Sequence, residues 1–509
     1  MCYHGFMSTS PTTKRRLWTA VGFFACVLFI LFVAAAQGIA QGARSQSGSS
    51  ADDQALTVLR QVMQFIQNSY VEEVDTETLI DGALKGMFES LDDPYSMFLD
   101  ETEMRKLGDT TSGEFGGVGL YINKVIPPED EPWIRPFVEI VSPIEDTPGF
   151  RAGLMPGDLI TAIEDTSTEE LTIDEVVDRL RGEPGSEVRI SILRGETAQF
   201  DVTLTRAIIE IPTVKYEPIR DYGYLRIIQF TPATDDRVAQ ALQDLKNQNI
   251  QGLIIDLRTN PGGLLTAVVD TADLFFDDGL IVGTRGRVAR ENNQFVAEPG
   301  SLIPDTMPIV VLVDQGTASA AEILAGALRN RGRAVLIGET TYGKGSVQQI
   351  HSLGSKGFRL TMSKYYTPGN VYIDKVGIAP DIELSEPALT REEEEDFIRL
   401  TEEQRIQQFL DDNPDPSPTR ISEFLETLHS EYDISLSDRL IRRLIRREFE
   451  RRTNTTSVYD LEFDLVLRRA LELIADPREM REIIESREPL DADFSQGHGL
   501  PLPALSSPQ

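Results

Sequence analysis

Ser319 and Lys344 are the residues whose types and spacing carry chemistry in this chain of 509 residues. The sequence around them reads VLVDQGTASAAEILAGALRNRGRAVLIGETTYGKGSVQ. The apolar run Ile309 to Val313 ends at Asp314 and a glycine-containing turn. Ser319 then opens a pattern with Ile323, Leu324, Ala327 and Leu328 on one face, which predicts a helix. A second apolar run, Ala334 to Ile337, leads into Lys344, which is flanked by Gly343 and Gly345. A hydroxyl at a helix start and an amine in a tight loop one strand later can meet at one edge of a sheet. That pairing suggests a Ser–Lys hydrolase.

The elements that position these groups supply the physical case. The first N–H groups of a helix lack internal partners and sit at the positive end of its dipole. The N–H of Ala320 therefore points where a tetrahedral oxyanion would form, and one such donor is worth ~3–4 kcal/mol in a transition state. A second donor can come from Gly262 or Gly263, in the Asn260-Pro261-Gly262-Gly263 turn after the apolar strand Leu253 to Leu257. Lysine acts as a base only when neutral. Its free pKa of ~10.4 must fall to near neutrality, at ~4 kcal/mol of differential solvation. Apolar burial can supply that, whereas arginine could not lose its proton. Gln348, four residues beyond Lys344, can orient the amine.

Taken alone, a serine at a helix start is usually an N-cap. A lysine between glycines can bind phosphate, but the G-x-x-x-x-G-K-[ST] spacing is absent. Gly-x-Ser-x-Gly, His-Glu-x-x-His and Ser-x-x-Lys are absent as well. The histidines are His4, His351, His429 and His498. His351 is expected on the strand after the lysine loop, so a histidine-based triad is weakly supported.

With these residues in place, the block resembles the carboxyl-terminal processing, or tail-specific, proteases. Thr317-Ala318-Ser319-Ala320-Ala321-Glu322-Ile323 is similar to their nucleophile stretch, and Gly343 to Gln348 to their Gly-Lys-Gly-Ser-Val-Gln segment. The Asp-Leu-Arg-x-Asn-Pro-Gly-Gly-Leu signature stands at Asp256 to Leu264, and a looser Tyr-x-Thr-Pro region at Tyr365 to Gly369. The likeness runs from about Leu56 to Pro387. It implies Ser319 as nucleophile, Lys344 as general base and Gln348 as its assistant.

Upstream, Phe115-Gly116-Gly117-Val118-Gly119-Leu120 and the run Ala152-Gly153-Leu154-Met155-Pro156-Gly157-Asp158-Leu159-Ile160 resemble a PDZ domain. Such a module captures a peptide carboxylate on backbone amides, here Gly116, Gly117, Val118 and Gly119, while the peptide adds as a strand. A module that docks internally without a ligand is the alternative. Before it, Leu56, Leu59, Val62, Met63 and Ile66 line one helical face, which either pairs two subunits into a homo-oligomer or packs on the core.

Composition bounds the rest. A net charge of −33 argues against a nucleic-acid partner and for a solvated acidic surface. Lys14-Arg15-Arg16 precedes an apolar run from Leu17 to Ala36, long enough to span a bilayer. Ala34-Ala35-Ala36 also suits a signal-peptidase site, so anchor and cleaved signal both stand, and Met7 can be the start. Cys2 and Cys26 both fall in that leader, leaving no disulfide beyond it. Past Pro387, an acidic start and Pro-rich interruption give way to helical patterns, with Arg442, Arg443, Arg446 and Arg447 beside Ile441, Leu444 and Ile445. Those arginines read as a solvated face, or else as a partner or membrane surface.

The expected fold is therefore a multidomain α/β chain: a signal/anchor and linker over 1–50, N-terminal helices over 51–112, and a PDZ domain over 113–206. An α/β Ser–Lys protease core over 207–387 follows, then a helical extension over 388–490 and a disordered end over 491–509. The expected function is an exported, periplasmic endopeptidase, tethered to the membrane or released, that cleaves proteins bearing a free C-terminal tail. No metal or cofactor is implied. The alternatives are a catalytically retired PDZ adaptor and a Ser–Lys amidase acting on cell-wall peptide.

Overall fold

The computed structural model describes residues 52–124, 136–144, 147–195, 197–210, 212–387, 389–431, 434–453 and 457–488. The expected leader with its two cysteines and the expected disordered end lie outside the described residues. Among the described residues, no helix is long and apolar enough to cross a membrane. The chain divides into two compact units, Met1–Phe98 and Leu99–Gln509.

The described part of the first unit is mainly two helices, over 52–69 and Thr76–Glu89. Asp75 caps the second by accepting from the Thr78 N–H at 2.7 Å. Gln67 Nε2 donates to Thr76 Oγ1 at 2.8 Å and ties the two together.

In the second unit, the chain enters and leaves a small β-rich module through an antiparallel ladder of Glu114–Gly117 with Ala207–Glu210. The module's sheet runs in the order Leu120–Lys124, Val138–Pro143, Leu159–Ile163, Glu187–Arg194 and Ala198–Thr205, each pair antiparallel. Ile140, Ile160, Ile190 and Ile192 alternate inward and pack against Val176 and Leu180 of the helix Ile173–Leu180. That helix starts where Thr172 and Glu175 cap each other's amides, at 3.3 and 2.7 Å.

The α/β body is built on a sheet of β1 (Val214–Ile219), β2 (Tyr222–Ile227), β3 (Leu253–Asp256), β4 (Ile309–Val313), β5 (Val335–Gly338) and β8 (Ile382–Glu383), in that spatial order. Only β1 is antiparallel to its neighbour. Between β5 and β8 in sequence, β6 (Ser346–Leu353) and β7 (Lys356–Thr367) form a long hairpin in another sheet. Parallel strands covered on both faces are largely apolar, as β4 is throughout and β3 is up to Asp256. Leu253, Ile255, Ile309 and Val311 face α1 (Thr234–Asn247), α2 (Leu265–Asp273) and α3 (Ala320–Asn330). Ile254, Val310, Leu312 and Ile337 point the other way.

The helical region expected past 387 is present, and part of it covers that second face. Its residues fall into two clusters. Those up to Phe449 cluster around Leu410, Leu425, Leu428 and Ile441, the last from α4 (Asp438–Thr453). Beyond them, α5 (Leu465–Ile474) lays Val466, Leu467, Ala470 and Ile474 on the central sheet. Each large side chain buried there contributes ~1.5–3 kcal/mol, so α5 is part of the body itself.

Candidate active site

The loops that leave the C-terminal ends of β3 and β4 are laced together. Asp314, just past β4, accepts from the Thr259 N–H at 2.8 Å and the Gly316 N–H at 2.9 Å. Thr317 Oγ1 donates to the Leu257 carbonyl at 2.9 Å, and the Ala318 N–H to the Asn260 carbonyl at 2.9 Å. Asn260 is fully buried, donating Nδ2 to the Ile227 carbonyl at 2.8 Å and accepting the Gly262 N–H at 2.9 Å. Neighbouring parallel strands thus deliver two rigid loops side by side at one edge of the sheet, where ligands of open α/β sheets bind.

Ser319 stands at the tip of the second loop with φ 57° and ψ −117°. The Ala321 N–H closes on the Ala318 carbonyl at 3.1 Å, so Ser319 occupies the first central position of a type II′ turn, a place dominated by glycine. A serine held there stores ~1–3 kcal/mol of backbone strain. Immediately afterwards α3 begins, anchored by the buried Ala320, Ile323, Leu324, Ala327 and Leu328. Ala320 is its first residue and has no intrahelical acceptor for its N–H. Gly262, at φ +99°, presses against this turn: a Cβ there would lie 2.7 Å from Ser319 Cβ and 2.9 Å from the Ala320 nitrogen.

The link to Lys344 is Glu322, one turn into α3 and fully buried. Its Oε2 accepts the Ser319 N–H at 2.8 Å and the Lys344 N–H at 2.9 Å. Its Oε1 accepts the Gly343 N–H at 2.7 Å and Thr341 Oγ1 at 2.5 Å. One carboxylate oxygen therefore holds the backbones of the serine turn and the lysine loop within two hydrogen-bond lengths of each other. Tyr342 adds a bond from its N–H to the Thr317 carbonyl at 3.0 Å, and Tyr365 Oη donates to the Lys344 carbonyl. Burial pushes the Lys344 pKa below the ordinary lysine value. The positive charge of Arg359 adds to this, and Glu322 opposes it. Gln348, on β6, donates Nε2 to Ser346 Oγ at 2.8 Å and to Thr361 Oγ1 at 3.3 Å, so Oε1 is the end that can accept from an amine. His351 lies on β6 as expected, stacked on Phe358 with ring centroids 4.8 Å apart.

Two expectations need refinement. The Gly262 amide is engaged by Asn260 Oδ1, so of the two glycines expected as oxyanion donors only Gly263 is without that partner. In the β-rich module, Gly116 and Gly117 belong to the ladder with Ile208 and Ala207, so the turn itself is Val118 and Gly119. Gly119, at φ +73°, accepts through its carbonyl from the Ile144 N–H at 2.9 Å, and Thr147 packs where a Cβ would stand. Beside that turn, a groove of about 270 Å³ runs between the edge strand Leu120–Lys124 and the helix, lined by Phe115, Leu120, Ile122, Val177 and Leu180. Arg181 sits over the Phe115 ring at 4.5 Å.

Glu322 was not singled out from sequence, although Ser-x-x-Glu before an apolar run is a capping-box signature. Arg258 was missed as well. Its guanidinium bridges buried Asp256, at 2.6 Å, to Asp464 just before α5, also at 2.6 Å. Tyr224 Oη completes the cluster on Asp256 at 2.7 Å.

Fold and site define a PDZ-bearing α/β protein with a serine and a lysine loop gathered around one buried carboxylate. Comparison with known proteins carries this further. Residues 221–384 match the model of peptidase family S41, 139–194 that of a PDZ domain, and 18–103 that of the activating protease CtpB N-terminal domain. A carboxy-terminal-processing protease of Bartonella bacilliformis is 39% identical over 332 residues, covering 64% of this chain and 74% of the relative. The carboxy-terminal processing protease CtpA of Bacillus subtilis is 34% identical over 346 residues, covering 67% and 72%. Among solved structures, the photosystem II D1 C-terminal processing protease matches at 28% identity with a TM-score of 0.40, covering 65% of this chain and 92% of that one. The chain belongs to the carboxy-terminal-processing protease family.

Proposed function

We propose that this protein is an endopeptidase that captures protein C-terminal tails in its PDZ groove and cleaves them with a Ser319–Lys344 dyad. Neutral Lys344 takes the Ser319 proton as Oγ attacks the scissile carbonyl, and then returns it to the leaving amine. The Ala320 and Gly263 N–H groups hold the oxyanion, and water activated by Lys344 hydrolyses the acyl-enzyme. Gln348 Oε1 orients the amine. The observation that carries this reading is the shared Glu322 carboxylate, which fixes the serine turn and the lysine loop as one unit. In the PDZ groove, the edge strand pairs with the incoming tail, and the turn at Val118 and Gly119 receives the terminal carboxylate.

The same proposal places the enzyme outside the cytoplasm, acting on envelope proteins. Its support is the basic Lys14-Arg15-Arg16 ahead of the apolar run Leu17 to Ala36, which either anchors the chain or is cleaved.

Steady-state cleavage of a fluorogenic peptide with a free C-terminus tests the chemistry. Ser319→Ala, Lys344→Ala and Lys344→Arg each abolish turnover in a folded protein, and the double variant is no worse than either single one. Labelling by a fluorophosphonate is lost in Ser319→Ala. Substantial turnover by Lys344→Arg refutes the dyad, because arginine cannot act as the base.

A further inference from the structure

On the sheet face that α5 covers, a cleft of about 330 Å³ opens between the ends of β2 and β3 and the side of α4. It is lined by Arg226 from β2 and by Arg443 and Arg447 from α4. On α4, Arg443, Arg446, Arg447 and Glu450 share one face, while Ile441 and Ile445 bury the other in the helical cluster.

The carboxylates of the cleft wall are all engaged elsewhere. Asp256 and Asp464 bind Arg258, and Asp460 and Glu450 bind Arg446 at 3.2 and 3.0 Å. Asp314 is held by Thr259 and Gly316. By contrast, among the described residues Arg226, Arg443 and Arg447 have no hydrogen bond or ion pair, and Nε of both Arg226 and Arg443 is buried without a partner. A buried unpaired donor costs ~1–3 kcal/mol, and here two come with three guanidinium charges in a chain of net charge −33. Burial, and Arg443 beside it, disfavour the charged form of Arg447, and Asp460 and Glu450 only partly offset this.

We propose that this cleft is a binding site for a small tetrahedral oxyanion of the phosphate class, with Arg226, Arg443 and Arg447 as its donors. Guanidinium forks match two oxygens of such an anion at once and supply charge-assisted bonds. Arg447, the exposed member, stands at the mouth, and half-buried Arg226 and Arg443 lie deeper. Asp314 and Thr259, which also line the cleft, are the residues that lace together the two loops of the serine site, so the anion sits behind those loops.

Isothermal titration of the full-length protein with inorganic phosphate, at ionic strength matched with chloride, tests the site. The expected result is saturable binding at one site per chain, weakened at least tenfold in Arg443→Gln and in Arg447→Gln. Sulfate competing with phosphate marks a free dianion site, and glycerol phosphate competing more strongly than either marks an ester site. Both results support the assignment. A measurement on the wild-type protein removes dependence on variant folding: phosphate should shield Arg226, Arg443 and Arg447 from phenylglyoxal, read by peptide mapping, but leave exposed Arg151 unshielded. Absence of saturable phosphate binding, unchanged affinity in both variants, or equal modification with and without phosphate would overturn the proposal and leave the three arginines merely hydrated.

Discussion

Glu322→Gln keeps the volume of a buried side chain while removing one acceptor oxygen and one negative charge. The native carboxylate serves Ser319 and Lys344 with one oxygen and Gly343 and Thr341 with the other. A glutamine can offer its oxygen to only one of these pairs. With the oxygen toward Ser319 and Lys344, its NH2 meets the Gly343 N–H; the Thr341 hydroxyl can rotate to accept. One backbone donor is then stranded, at ~1–3 kcal/mol, and the surviving bonds lose their charge assistance, which roughly halves their strength. A stability loss of ~2–4 kcal/mol follows, read by urea denaturation. Loosening the serine turn against the lysine loop should lower kcat/KM by ~10–100-fold, equivalent to ~1.4–2.8 kcal/mol of barrier. The pH profile carries the decisive sign. The Glu322 charge raises the Lys344 pKa against burial and Arg359, so removing it moves the rising limb of kcat/KM to lower pH. More lysine is then neutral at pH 7, yet the enzyme is slower. A wild-type rate, or a rising limb displaced to higher pH, would refute the assignment of Glu322 as the clamp.

In the wild-type enzyme, kcat/KM should rise with pH through a midpoint below the ~10.4 of free lysine, since burial favours the neutral amine. A rate independent of pH across the neutral and alkaline range contradicts a lysine base. Gly119→Ala forces a side chain into φ +73° with its Cβ 2.3 Å from Thr147; it should weaken tail binding at least tenfold, as C-terminal amidation of the peptide should, both read by fluorescence anisotropy. Equal affinity for acid and amide peptides counts against carboxylate capture. Leu467→Ala, at a fully buried position of α5, should cost ~2–5 kcal/mol and lower the melting temperature of the protease body, whereas a detached extension would leave that transition in place.

Much of the site was legible because its signals are local. A serine before a helical pattern, and a lysine between glycines one strand later, each declare their setting within about ten residues. The β-rich module was legible for the same reason, since its glycine loop and the run Ala152 to Ile160 are each complete within a short stretch of sequence. Roles set by backbone direction were not. That Gly263 rather than Gly262 can present its amide depends on where Asn260 Oδ1 points, and residue identity does not encode that. Glu322 was visible as a helix cap, but its donors at Thr341, Gly343 and Lys344 come from a loop beyond the next strand. The body's second face was half legible. The apolar runs Leu253 to Ile255 and Ile309 to Val313 announce buried strands, yet the cover of their second face is α5, tied in by an Arg258–Asp464 contact 206 residues apart in sequence.

That separation sets an order of events during translation. β2 to β5 are made well before α5, and until Ile474 has emerged, Ile254, Val310, Leu312 and Ile337 face water on an uncovered sheet. Arg258, beside the loop that carries Gly262 and Gly263, meanwhile lacks Asp464. A nascent chain stalled before α5, or a truncated product, therefore holds every residue of the site in sequence without the scaffold that aligns them. Because α5 follows every residue of the site in the chain, the sheet that carries the site gains its second cover only after those residues have been made.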